Sequence, residues 1–424
     1  MKSQFKNFNN CFFIFVSFIF LIAIYYLHIK QQVGNDSTIS EYLINYQGGF
    51  TRRGLIGEIS FQLANYLDLS LRFTIFLIQS LIYFIYIVLI YLYIRSLPKN
   101  ILTIVAIFSP VFLFYPIAEI EVLARKEIFL FVAFIIFLNI SSSKFSKDIS
   151  LIYVFFVFPI VCLIWEPSIF FYPFAAFIIL INNNKDSFKK ISTKIILSFS
   201  SSVIVTLYLI LNLLSQEGHL MMKESLINNF NENCYMSCEL LGSKSSIMAQ
   251  ILAVKGLFSF KVFFRYSMIV LISFLPLTIL YYNSILKIKV LFFSKFNNLL
   301  IPFFIIISSV LFLFASMTDW GRVVNISYTF SILTYLYLLK NDFILVNKKI
   351  FFFDKFYTNK KKMFIFLFII FAFFWNPKTQ MRGDIASNSL YKVIYNTSKR
   401  IFKFDGFRIF NDSPIIKFHK KYIE

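Results

Sequence analysis

The charged side chains that could act on a substrate fall in five segments of a 424-residue chain that is otherwise largely apolar. The first, Gln31 to Arg72, holds Asp36, Glu41, Arg52, Arg53 and Glu58. The second places Glu119, Glu121, Arg125, Lys126 and Glu127 within nine residues. The third is Trp165-Glu166-Pro167, the fourth a polar stretch over 215–265, and the fifth Asp319-Trp320-Gly321-Arg322. Arginine beside carboxylate suits two tasks. A guanidinium presents a planar fork of donors matched to phosphate oxygens. A carboxylate can take the proton of a hydroxyl as a general base.

Each segment also has a plainer reading. In the first, Gly48-Gly49-Phe50-Thr51-Arg52-Arg53-Gly54 precedes an amphipathic stretch, Leu55 to Leu67, which predicts a helix lying in the membrane interface. The paired glycines permit a tight turn or a close approach to a ligand. The arginines suit a substrate phosphate, or lipid head groups. Glu127 stands at the start of an apolar run, and Glu166 lies between two such runs, where desolvation raises a carboxyl pKa. Asp319 and Arg322 are three apart, so they also suit a local pair on one helical face.

The elements that must position these residues are membrane helices. The chain is 58% hydrophobic and 15% charged, against about 25% charged in soluble domains. Its apolar residues come in blocks, and about 20 residues cross a hydrocarbon core of roughly 30 Å. Eleven spans are predicted, near 11–28, 73–95, 101–117, 127–140, 149–165, 168–182, 193–214, 266–285, 297–316, 323–340 and 363–376. The fold class is therefore all-α: a polytopic membrane protein with about eleven transmembrane helices. Residues 1–376 form the membrane domain, with outer loops 29–72, 118–126, 215–265 and 317–322, and 377–424 form an extracytoplasmic tail. The first span ends in Tyr25 and Tyr26 and lacks a small-residue cleavage site, so it is expected to be retained.

Lysine and arginine set the orientation. With the N-terminus in the cytoplasm, alternate loops carry Arg95 and Lys99; Lys144 and Lys147; Lys185, Lys189, Lys190 and Lys194; Lys287, Lys289 and Lys295; and a last group from Lys348 to Lys362. Short basic loops face the cytoplasm. The net charge of +21 is thus read as a topology signal beside anionic lipid, not as a nucleic-acid footprint. The five mixed segments then share the outer face. Cys234 and Cys238, spaced C-x3-C in the fourth, allow either a disulfide or two thiols. The three histidines are scattered, so no metal-ligand pattern is expected.

This layout resembles the GT-C superfamily of integral membrane glycosyltransferases. A long first outer loop with a juxtamembrane helix matches Gln31 to Arg72, and a second outer loop leading into span four matches Ala124-Arg125-Lys126-Glu127. Gly48 to Leu55 also resembles multi-spanning proteins of bacterial surface-polysaccharide clusters, including O-antigen polymerases. The resemblance covers about the first third of the chain, and a large soluble C-terminal domain like that of better-known members is not expected from these 424 residues.

What it implies is transfer from a polyprenyl-linked sugar (pyro)phosphate to a saccharide acceptor, on the outer face of the cell inner membrane. The catalytic carboxylate would be Asp36, with Glu41 in reserve. The substrate would be held by Arg52, Arg53, Glu58, Arg125, Lys126, Glu127, Glu166, Asp319 and Arg322. No cofactor is evident, although the family admits a divalent metal. A flippase of lipid-linked oligosaccharide and a non-catalytic assembly protein are the alternatives. The flippase would call for repeat symmetry and charges within spans, and few such charges and no repeat are seen.

Overall fold

The computed structural model describes residues 2–401 except 34–35, 99, 143–146, 243–246, 289, 291–292, 294, 348–350 and 382–385. The expected tail beyond 401 lies outside the described residues. About three quarters of the structure is helical. Four helices are long and apolar enough to cross a membrane: Phe8–Lys30, Leu71–Arg95, Phe188–Leu211 and Phe260–Tyr282. Shorter apolar helices occupy Glu127–Ser142, Asp148–Ile164, Glu166–Asn182, Met248–Leu257 and Leu300–Ser316. Large apolar side chains such as Phe13, Leu21, Leu81, Phe156, Ile204 and Leu271 lie exposed on these helices. Such a surface suits lipid rather than water, and the chain is membrane-embedded.

Trp320–Lys340 is the pillar of the bundle, buried at every residue from Trp320 to Leu338. Glu127–Ser142, Tyr172–Asn182 and Phe260–Tyr282 pack around it. Its polar residues bond inward. Asn325 donates to the carbonyls of Val111 (2.7 Å) and Phe112 (3.2 Å), and the Tyr328 hydroxyl to that of Ala106 (2.7 Å).

These bonds explain the largest departure from the predicted spans. Residues 101–117 are not one helix: Ile101–Ile107 stops, and only Tyr115–Ala118 resumes. Pro110 lacks an N–H and disfavours helix at Ser109. Broken backbone at membrane depth persists where it is buried in protein, and the pillar supplies the missing donors. The last predicted span, 363–376, is the 13-residue helix Lys361–Phe373.

The two ends of the bundle differ. At one end, Tyr337 bonds to Ser141 (3.1 Å) and Asn182 (2.9 Å), and Asn341 to Ser142 (3.0 Å), so the turns after three spans meet. There Ser284–Leu286 pairs antiparallel with Ile344–Val346, joining two lysine-rich loops. At the other end, the helices Ser37–Tyr42 and Leu55–Tyr66 lie beside Gln216–Phe230. The predicted Leu55 helix therefore forms nearly as read. The fourth segment adds the apolar helix Ile247–Leu257, which was expected to be loop.

Candidate functional site

The site is assembled from turns that precede helices. Glu41, on Ser37–Tyr42, is fully buried. Arg125, just before Glu127–Ser142, donates to its Oε1 from Nε (3.1 Å) and Nη2, and Arg322 from Nη1 at 3.4 Å. Burial would raise the Glu41 carboxyl pKa, but the two guanidiniums outweigh it and hold the group well below the usual carboxylate range. Its Oε2 has no hydrogen-bond partner among the described residues.

Arg322 stands in the first turn of the pillar. It grips Glu127 through Nε (2.8 Å) and Nη2 (2.5 Å), and its guanidinium lies 5.5 Å from the Trp165 ring. Asp319 is 3.4 Å from Arg125 and 3.9 Å from Arg322. The local Asp319–Arg322 pair is therefore the weakest of Arg322's contacts.

Arg53 and Lys126 extend the network. Arg53 Nε lies 3.0 and 2.8 Å from the two Glu166 oxygens, with Nη2 at 2.8 Å from one of them. Burial would raise Glu166, but Arg53 holds its pKa below the ordinary value. Lys126, wholly buried, donates to the Arg53 carbonyl and lies 5.7 Å from the Tyr42 ring. Burial pulls its pKa down to about 7, against the attraction of Glu41. Arg53 and Ala124 both take left-handed backbone, at φ 63° and 49°. The cluster thus sets Arg53, Arg125, Lys126 and Arg322 against Glu41, Glu127, Glu166 and Asp319, four charges of each sign.

Three further expected residues lie beside the network. Asp36 caps Ser37–Tyr42 by accepting from the Thr38 N–H (2.8 Å), and it pairs with Lys30 at 3.2 Å. Burial would raise its pKa, but Lys30 and Thr38 bring it below the ordinary value. Glu58 accepts from the Tyr46 N–H (2.9 Å) and the Gln47 side chain (2.8 Å), which shapes the glycine turn. Arg52 is half-buried beside Arg53. The glycines are structural as well. A Cβ on Gly48 would meet the Gly218 carbonyl oxygen at 1.7 Å, and Gly49 adopts φ 120°.

In front of the network lies a cavity of about 990 Å³, lined by Ser37, Glu121, Arg125, His219, Asp319 and Gln380 among others. Asp36 and Glu41 do not line it. Two contributors supply residues that the sequence did not single out. One is the fourth segment, which supplies His219, Lys223 and Glu239. The other is the strap around 376–381: Gln380 faces the cavity, and the Thr379 carbonyl accepts from the Gly321 N–H at 3.0 Å. Glu119 anchors that strap, taking bonds from Asn376 (2.8 Å), Thr379 (3.3 Å) and Lys392. Glu119 was visible as a member of the charged second segment, with no sequence cue to its distant partners.

A second cavity, of about 770 Å³, is apolar and runs between Phe260–Tyr282, Leu300–Ser316 and the pillar. Trp320 and Tyr266 form its outer wall, their rings 5.2 Å apart. The Tyr266 hydroxyl donates to the Gln380 carbonyl at 3.0 Å. Asp319 lines the polar cavity and its chain neighbour Trp320 the apolar one.

Glu41, Glu127, Glu166 and Asp319 are each engaged by a guanidinium. A hard dication draws on several uncommitted oxygens, and these carboxylates do not form such a set. Cys234 and Cys238 form a disulfide. His219 Nε2 lies 3.7 Å from Cys234 Sγ. No family model, no curated protein and no solved structure matches the chain.

Proposed function

We propose that this protein transfers a sugar from a polyprenyl-linked (pyro)phosphate to a saccharide acceptor at the outer face of a membrane. In this reading it is GT-C-like, with a cytoplasmic N-terminus and about eleven passes, counting the broken 101–118 stretch as one. The carrying observation is a pair of cavities lined by consecutive residues, Asp319 and Trp320: an apolar groove suited to an isoprenoid tail, and a polar cleft suited to phosphate and sugar. The lysine pattern and the opposed ends of the bundle support the orientation.

The network suggests the division of labour. Glu41 and Glu127 hold Arg125 and Arg322 in fixed orientations, which is the preorganisation that electrostatic catalysis requires. Arg125 reaches the cleft, and its contact with Asp319 is long. An arriving phosphate takes Asp319's place on Arg125. The freed Asp319 accepts the acceptor hydroxyl's proton. The acceptor oxygen bonds to the anomeric carbon as the bond to the phosphate oxygen breaks, and the lipid phosphate leaves with the electron pair. One base and attack from the opposite face give inversion, unlike the paired carboxylates of retaining hydrolases. Asp36, which caps Ser37–Tyr42 and pairs with Lys30, becomes a positioning residue rather than the base.

Native mass spectrometry of the purified protein tests the groove. Wild type should retain a polyprenyl phosphate added in nanodiscs, and Val270→Trp, which fills the apolar wall, should lose it. Equal retention by both would remove the groove from the account.

A further inference from the structure

The disulfide loop carries more chemistry than a cross-link needs. Cys234 and Cys238 are both buried, and the loop containing them lines the polar cavity through Met236, Ser237 and Glu239. His219, on the facing helix Gln216–Phe230, is also buried, and its Nε2 lies 3.2 Å from the Cys238 carbonyl as well as 3.7 Å from Cys234 Sγ. Ligand atoms of His219, Cys234 and Glu239 all lie within 4.8 Å of one another. Cys238 Sγ is bonded to Cys234 Sγ and supplies a second sulfur next to the group. Two sulfurs, one imidazole and one carboxylate are the donor set of a tetrahedral zinc site.

We propose that this loop is a zinc site in its dithiol form, so that the disulfide and the metal are alternative cross-links of one segment. A dithiol reductant supplies two electrons and two protons and leaves as its cyclic disulfide, while the Cys234–Cys238 bond opens to two thiols. Zinc then binds both sulfurs as thiolates, and two protons pass to solvent. His219 Nε2 exchanges the Cys238 carbonyl for the metal, its ring proton residing on Nδ1. Glu239 exchanges Lys223, now 3.1 Å away, for the metal as fourth ligand. Either cross-link pins the loop over the cavity wall. The proposal does not depend on glycosyl transfer.

The test uses the full-length protein in detergent, with Zn2+ as the probe against a chromophoric chelator. The reduced wild type should bind one zinc per chain, and the oxidised protein none at this site. His219→Ala and Glu239→Gln should each weaken the reduced protein's affinity by at least about tenfold, and the Cys234→Ser, Cys238→Ser double variant should abolish binding. Where reduction lowers the melting temperature, zinc should restore it in wild type and not in His219→Ala, since a ligand selective for the folded form stabilises it. No zinc uptake by the reduced wild type, uptake indifferent to His219→Ala and Glu239→Gln, or a reduced protein whose melting zinc does not restore would each overturn the proposal.

Discussion

Arg322 and Glu127 offer the sharpest energetic prediction. Both are almost wholly buried, and Glu127 takes its two hydrogen bonds from Arg322 alone among the described residues. Arg322→Met leaves Glu127 as a buried carboxylate without a donor. Breaking one side of such a pair costs about 3–5 kcal/mol, whereas replacing both partners by apolar groups of similar volume is often close to neutral. Arg322→Met should therefore destabilise by about 3–5 kcal/mol, and Glu127→Met by less, since Arg322 keeps Glu41 and Asp319. The double variant should fall within about 2 kcal/mol of wild type, because Glu41 keeps Arg125. The double-mutant cycle then gives a coupling of several kcal/mol. Unfolding in mixed detergent micelles, followed by tryptophan fluorescence, provides the measurement. Arg322→Lys, which keeps the charge but not the two-armed grip, should fall between the extremes. If Arg322→Met loses less than about 1 kcal/mol, or the double variant is no better than Arg322→Met, the pair is not the buried unit described.

Lys126 should impose a pH dependence. Its pKa falls from 10.5 to about 7 on folding, so the unfolded chain binds the proton more tightly. The penalty is fully present below about pH 7 and is relieved as pH rises toward the unfolded value, at up to about 1.4 kcal/mol per pH unit. Lys126→Met should flatten that rise, and an unchanged slope in the variant would remove Lys126 as its source. Gly48→Ala should impair folding, since its methyl would overlap the Gly218 carbonyl, and wild-type detergent stability would contradict that contact. Ala124→Gly should raise stability by about 1 kcal/mol in the same unfolding assay by relieving a left-handed conformation, and a loss would show the strain to be absent.

Much of the fold was readable because lipid imposes a simple grammar. Apolar blocks and basic turns marked most helices and both ends, and the Leu55 helix emerged from its amphipathic pattern. What could not be read was partnership over distance. Asp319 and Arg322 look like a local pair in the chain, yet Arg322's main partner is Glu127, 195 residues away. The paired glycines allowed a tight turn or a ligand approach, and only the structure shows that Gly49 turns at φ 120° while Gly48 abuts Gly218. The 101–117 block is apolar enough to span, and only the donors of Asn325 and Tyr328 let it break. His219 and Cys234 are 15 residues apart with no recognisable spacing, and a helix facing a loop brings them together. Asp36 and Asp319 are chemically alike, and only Lys30 and the cavity wall distinguish them.

The central claim is glycosyl transfer at the cleft with Asp319 as its base. The most direct test is turnover by purified protein in nanodiscs, supplied with a polyprenyl-linked sugar phosphate pool and saccharide acceptors. Wild type should transfer the sugar with inversion. Asp319→Asn should lose about 10²–10⁴-fold in rate while still binding the lipid phosphate, and Asp36→Asn should retain most of its turnover. No transfer by wild type, or full turnover by Asp319→Asn, would contradict the account.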